Sequence, residues 1–168
     1  MTLRKRIPET VDAFIRADLP NAKLLMVGNG PYLEEYKERY AQNKAVIFLG
    51  RRCDIKELLN ISDVFVSSSE SEGLPLAVLE AVSTHNYLCM SDIPQHKEVL
   101  DELEDVGELY HIGKVDELSE LLKRASNKVK DFPQTSLKNT SLDIRIMGEK
   151  YRDYYCSVGN ISKKIKHT

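Results

Sequence analysis

Apolar residues at Ile7, Val11, Phe14 and Ile15 fall at i, i+4, i+7 and i+8, one face of a helix that should end near Asp18–Ala22. The pattern then shortens. KLLMVG (23–28) is apolar almost throughout and stops at Gly28-Asn29-Gly30-Pro31, which reads as a buried strand and a turn. AVIFLG (45–50), DVFVSS (63–68), YLCMS (87–91) and GELYHI (107–112) repeat that strand-length signal. Between and after them, YLEEYKERY reads as a charged, exposed helix, while QHKEVLDEL and VDELSELLKRASNKV have helical period. Asp54 and Glu57 have capping-box spacing ahead of a short helix at LLNI, and a further helix should run from Pro75 to about Thr84. Strands apolar on both faces, alternating with amphipathic helices, form a parallel sheet covered on both sides. The expected fold is a Rossmann-like α/β three-layer sandwich with a parallel sheet.

After Phe132-Pro133, the polar stretch QTSLKNT leads to a last helix carrying Ile144, Met147, Tyr151 and Tyr154 on one side, and then to the basic tail SKKIKHT. The chain therefore divides into a Rossmann-like domain over 1–132 and a linker, helix and tail over 133–168, packed on or beside it.

Bulk properties narrow the function. At 168 residues there is room for one ordinary domain. The formal net charge of −2 offers no global field for nucleic acid or an anionic membrane, so any anion site must be local. Cys53, Cys89 and Cys156 lie far apart, which suits a reducing cytoplasm better than a disulfide framework or a zinc site. No apolar run reaches the 18 residues of a membrane span, and the basic N-terminus has no apolar segment behind it. His85, His96, His111 and His167 lack metal-ligand spacing, no Asp-x-Asp is present, and no metal is expected. His96 and Glu98 read as helix-surface residues. The third glycine of a dinucleotide fingerprint beginning at Gly28 would fall on Leu33, so that segment reads as a turn.

The chemistry concentrates in SSSESEGLPLAVLEAVS (67–83). In open α/β sheets, ligands bind at the carboxyl ends of strands, where this loop lies. Pro75 suits a first helical turn, Gly73 allows close backbone approach, and the helix start offers free N–H groups and a positive dipole end to a phosphate. Pro75, Val78, Leu79 and Val82 make the sheet-facing stripe, and Glu80 lies off it. Glu80 should stand about 7 to 8 Å along the axis at roughly 1.5 Å per residue, a span that fits a diphosphate at the helix tip and ribose hydroxyls beyond. Spacing alone leaves a second reading open, in which Glu80 is an exposed helix residue and Glu72 a favourable charge near a helix start.

Glu72-Gly73-Leu74-Pro75-Leu76-Ala77-Val78-Leu79-Glu80-Ala81 resembles the motif of the glycosyltransferase family 4 group, retaining enzymes of the GT-B fold, in which two glutamates flank seven residues. LLMVGNGP, VIFLG, SDVFVSSS, SDIPQHKEV and GELY fall in the order and spacing of that family's C-terminal, donor-binding domain, over roughly residues 5 to 125. The resemblance implies that Glu80 holds the ribose of a nucleotide sugar and that Glu72 contacts the donor sugar as the catalytic residue. It implies that Leu74, Pro75 and Leu76 shape the diphosphate site with Gly73, that Lys5 neutralises the diphosphate, and that Arg51 and Arg52 frame the base.

A family arginine at the end of the domain's first strand has no counterpart here, and Arg4 or Arg6 could replace it only along a different local path. Where the family has Gly after the signature helix, this chain has His85-Asn86, of which Asn suits a left-handed cap.

The expected function is thus the donor-binding half of a retaining glycosyltransferase that uses a nucleotide-diphosphate sugar, with UDP-sugars first in line. Bacterial surface polysaccharide or lipopolysaccharide synthesis is the expected setting. The implied partners are the donor, an N-terminal GT-B domain carrying the acceptor site, and a lipid-linked glycan acceptor; no nucleic acid and no cofactor are expected. Alone, the chain should be inactive. The implied location is cytoplasmic, with the full enzyme peripheral at the inner membrane face. A non-catalytic nucleotide-sugar-binding or interaction module stands as the alternative, with a sugar-nucleotide epimerase a more distant third.

Overall fold

Strands and helices alternate along the chain in a computed structural model that describes residues 1–129. A short 3-10 turn, Leu3–Lys5, precedes α1 (Ile7–Ala17), β1 (Leu24–Val27), α2 (Leu33–Arg39), β2 (Val46–Gly50) and α3 (Ile55–Asn60). Then come β3 (Val64–Ser67), α4 (Leu76–Ser83), β4 (Tyr87–Ser91), α5 (Pro94–Glu102), β5 (Gly107–Tyr110) and α6 (Val115–Lys128). All five strands lie where the apolar runs predicted them. The expected helix at Ile144–Tyr154 and the tail lie outside the described residues.

Every strand pairing is parallel. β1 pairs with β2 through Leu24↔Val46 to Val27↔Gly50, and β4 lies between β3 and β5 through Val64↔Tyr87 and Leu88↔Gly107. Hydrogen bonding thus organises the strands as a pair and a triplet rather than the one sheet expected. Apolar runs specify strands, whereas edge pairing is set by tertiary geometry that periodicity does not encode. In the triplet β4 is buried along its whole length, as befits a central strand with both edges and both faces covered, while β3 is half-buried throughout.

Helix α1 covers both strand groups. Its Ala13, Phe14 and Ala17 pack with Tyr87, Cys89, Tyr110 and the α6 residues Leu118, Leu121, Leu122 and Ala125, with Leu24 and Val64 against them. Its Ile7 and Val11 pack with Met26, Leu33, Tyr36 and Tyr40. The predicted stripe holds at Ile7, Val11 and Phe14; Ile15 turns outward and is 39% exposed, because α6 meets the helix on the side of Ala13 and Ala17. In α2, Leu33 and Tyr36 are buried, so the helix is exposed only on its charged side.

Local details depart from expectation in two places. Asp54 is the N-cap of α3 but makes no capping bond, because Arg52 occupies both of its carboxylate oxygens, at 2.8 and 2.6 Å. After α4 the left-handed residue is His85 (φ 63°), not Asn86. Asn86 is buried, where its amide donates to the Leu59 carbonyl at 3.0 Å and to that of Ser62, tying the α4–β4 turn to the end of α3.

Candidate functional site

The loops after β1, β2, β3 and β4 all leave from strand carboxyl ends, the side on which an open α/β sheet receives ligands. Gly30, in the loop after β1, has φ +149°, and a Cβ there would lie 1.8 Å from the Met1 nitrogen; only glycine admits the chain at this crossing. From Met1 the chain runs through the Leu3–Lys5 turn to the loop after β3, where the Glu70 N–H donates to the Arg4 carbonyl at 2.9 Å.

There the two segments meet by charge. Lys5 Nζ lies 2.5 Å from Glu72 Oε1, with the lysine side chain 44% and the glutamate side chain 13% exposed. Burial alone would push the Glu72 carboxyl up, but hydrogen bonds from Lys5 and the Ser69 hydroxyl, with the Lys5 charge, hold it below the ordinary glutamate range. Arg6 takes the left-handed conformation (φ 46°) and pairs with Glu70 at 2.7 Å and with buried Glu9 at 2.5 Å. Glu9 also accepts the Gly113 N–H at 2.9 Å, joining the start of α1 to the loop after β5. The path is not the one that would free Arg6 to stand in for the family arginine.

The tip of α4 differs from expectation by one residue. Pro75 is the N-cap, buried, and the helix begins at Leu76. The Leu76 N–H is turned back to the Leu74 carbonyl at 2.9 Å, and Gly73 and Leu74 lie exposed just ahead of the helix. The side chains of Leu74 and Leu76 are 52% and 61% exposed. Val78, Leu79 and Val82 are buried as the stripe requires, and Glu80 is exposed, with no partner for its carboxylate among the described residues. Four residues into the helix, it stands about 6 Å along the axis at ~1.5 Å per residue. Arg51 and Arg52 follow β2; Arg52 is committed to Asp54, and among the described residues no contact ties either to the Glu72 loop.

Sequence reasoning missed the polar layer beneath this loop. Thr10 and Ser68 hydroxyls meet at 2.6 Å, the Ser91 hydroxyl donates to the Ser69 carbonyl at 2.6 Å, and Ser68, Ser69 and Ser91 are all buried. His96, expected on a helix surface, is fully buried among them, whereas Glu98 is exposed as expected. The missed signal was position: His96 is the third residue of a helix that opens with Pro94, three residues past β4, where a first-turn side chain folds back toward the strand ends. Among the described residues no group of three His, Cys, Asp or Glu side chains is placed to hold a metal ion, and no helix is long and apolar enough to cross a membrane.

This arrangement has known relatives. Residues 1–136 match the family model of "Glycosyl transferases group 1". The chain is 30% identical over 145 residues to the Escherichia coli UDP-Gal:alpha-D-GlcNAc-diphosphoundecaprenol alpha-1,3-galactosyltransferase, covering 82% of this chain and 37% of that protein. Over 53 residues it is 43% identical to a Campylobacter jejuni N,N'-diacetylbacillosaminyl-diphospho-undecaprenol alpha-1,3-N-acetylgalactosaminyltransferase, covering 32% of this chain and 14% of the relative. Among solved structures, Anabaena HepE in complex with UDP and glucose superposes with a TM-score of 0.70 at 19% identity, over 80% of this chain and 38% of that one. WaaG, a glycosyltransferase involved in lipopolysaccharide biosynthesis, superposes with a TM-score of 0.63 at 21% identity, over 74% of this chain and 35% of that one. The chain thus spans well under half the length of these relatives. By the family match over residues 1–136 and its parallel α/β fold, the chain belongs to the glycosyl transferases group 1 family and has the fold of one half of a GT-B glycosyltransferase.

Proposed function

We propose that this chain is the donor-binding half of a retaining glycosyltransferase that takes a nucleotide-diphosphate sugar, with UDP-sugars as the preferred class. The observation that carries the reading is the Lys5–Glu72 pair at the mouth of the α4 tip. A cation and a carboxylate from segments 67 residues apart are brought together, next to the exposed Gly73–Leu74 step and an unpaired carboxylate one turn into the helix. The HepE complex with UDP and glucose, on the same fold, supports it.

In this reading the diphosphate lies at the Gly73 and Leu74 amides and draws Lys5, Glu80 accepts hydrogen bonds from the ribose hydroxyls, and Glu72 turns to the sugar. Arg51, extending from the end of β2, faces the base; Arg52 is restrained by Asp54 and orients that loop. Cleavage of the bond between the anomeric carbon and the diphosphate leaves charge on the diphosphate oxygen, which Lys5 and the helix tip stabilise. The acceptor hydroxyl attacks on the face the diphosphate leaves, and its proton passes to the departing diphosphate. No metal is required for this, since Lys5 supplies the positive charge.

The acceptor site belongs to a partner N-terminal domain, and the undecaprenol-linked acceptors named for two relatives favour a lipid-linked glycan, with surface polysaccharide or lipopolysaccharide as product. In this reading the whole enzyme works on the cytoplasmic side, peripheral at the inner membrane face. Calorimetric titration of the chain with UDP-glucose, UDP-galactose, UDP-N-acetylglucosamine and GDP-mannose tests the reading. One or more UDP-sugars should bind, and Glu80→Ala should weaken binding about tenfold through loss of the ribose hydrogen bonds. Absence of binding by all four, or equal binding by Glu80→Ala, overturns it.

A further inference from the structure

The strand pair and the strand triplet each leave one inner edge open. Among the described residues β1 pairs with β2 alone and β3 with β4 alone, while β1 and β3 neither pair nor pack closely. Successive backbone groups of a strand point to opposite edges. The Leu24 N–H donates to the Ala45 carbonyl at 2.9 Å and the Gly28 N–H to that of Gly50 at 2.8 Å, so Leu25 and Val27 turn their backbone groups away from β2. On β3 the Asp63 carbonyl accepts the Tyr87 N–H at 3.0 Å, which turns Val64 and Val66 away from β4. Among the described residues, these four have no strand to receive them.

Their sequence is that of a sheet interior. Neither β1 (LLMV) nor β3 (VFVS) carries the charge or proline that protects an edge, and strands apolar on both faces belong between neighbours. Yet β3 is only half-buried and Val27 is 37% exposed, whereas β4, flanked on both sides, is buried along its length. Helix α1 lies over both groups, with Phe14 in the core that Leu24 and Val64 join and Val11 in the core of Met26. At the carboxyl ends, the chain runs from buried Met1, which crosses Gly30 after β1, to Arg4, which holds Glu70 after β3. Residues 1 to 4 thus bridge the mouth of the gap.

We propose that the gap between β1 and β3 is a slot for one more parallel strand: an apolar segment of about five residues whose carboxyl end leads into Met1. Inserted strand, α1 and β1 then form one right-handed βαβ unit. The order β2, β1, inserted strand, β3, β4, β5 is that of a doubly wound sheet. The backbone of the insert satisfies Leu25, Val27, Val64 and Val66, and one of its faces meets α1. It also anchors the segment that carries Lys5 to Glu72. The slot stands apart from the donor reading, and no nucleotide enters its test.

The test fuses Val-Ile-Val-Ile-Val and a Gly-Ser step to the amino end of the whole chain, and compares this fusion with the unextended chain and with a fusion whose two isoleucines are prolines. Amide hydrogen exchange is read residue by residue. In the unextended chain, Leu25, Val27, Val64 and Val66 should exchange about a hundredfold faster than Met26 and Phe65, which face the existing ladders. The apolar fusion should slow those four by about tenfold or more, and the proline fusion should leave them as they were. Should the apolar fusion fail to fold, the same segment, supplied as a separate peptide with amino-terminal lysines, decides by the same four amides. No slowing, or equal slowing by the proline form, overturns the proposal. So does protection of the four amides in the unextended chain; if that protection fades on dilution, the slot belongs to a second copy of the chain.

Discussion

Replacing Glu72 with Gln should make the chain bind UDP more tightly while it binds the sugar less well. The carboxylate holds Lys5 at 2.5 Å, and a diphosphate that recruits Lys5 must first break that pair. With the lysine side chain 44% exposed, the pair is screened by solvent. It is therefore worth ~0.2–1 kcal/mol rather than the several kcal/mol of a dry ion pair. Removing the competitor returns that amount to the ligand, about 1.4- to 5-fold in affinity for UDP. Lys5→Ala acts in the opposite direction. It loses a charge-assisted bond to phosphate of ~1.5–3 kcal/mol and recovers only the cost of breaking the pair, a net weakening of about 2- to 100-fold. Glu72→Gln added to Lys5→Ala should then give no gain for UDP, since the lysine it would release is absent. For the UDP-sugar, Glu72→Gln loses an accepted hydrogen bond, and the extra affinity over UDP should fall about tenfold. Calorimetry on the four proteins, at low and at physiological salt, measures every term. An affinity for UDP that is unchanged or lower in Glu72→Gln, or an equal gain in the Lys5→Ala background, would refute the idea that the free site is closed by its own ion pair.

Stability offers two further checks. Burial pushes the Glu108 carboxyl up, but bonds from Lys128, Arg124 and Tyr87 outweigh that and lower it to about 2. Its contribution is therefore present above the ordinary glutamate range and lost as pH falls through about 2. The difference in unfolding free energy between wild type and Glu108→Gln should be about 1–2 kcal/mol at neutral pH and vanish in acid, as urea titrations across that window would report. Gly107→Ala should destabilise by about 3 kcal/mol or more, because its Cβ would come within 2.3 Å of the Leu88 backbone oxygen in the central strand. A melting temperature within a few degrees of wild type would contradict that packing.

The five strands and the helices between them were legible because each carries its own period, and periodicity is local. What escaped depends on contacts between distant segments. Lys5 was named for one ligand atom and Glu72 for another, but nothing in the spacing said they would bind each other across 67 residues. Ile15 has the right spacing for the α1 stripe, yet which neighbour covers the helix decides its exposure. Asp54 has the residues of a capping box, and a nearby arginine with better geometry takes it. His96 shows the same limit most plainly: a histidine between polar neighbours in a helical segment reads as surface, and only the arrival of Ser67, Ser69 and Ser91 from two strand ends makes it core. Glu80 was placed correctly because its exposure follows from the period of a single helix.

The serine run ahead of Glu72 has a consequence for motion. By composition it is a flexible linker, yet Ser68 and Ser69 are buried and held from behind, and Glu70 is pinned through its N–H to Arg4. Freedom is left to the short span from Ser71 to Leu74, whose residues are exposed except for Glu72. Closing around a ligand therefore orders about four residues, at ~1–2 kcal/mol of backbone entropy each at most, instead of the eight of the whole loop between β3 and α4. A surface loop with its base already frozen can be long enough to reach a ligand and still lose little freedom on gripping it.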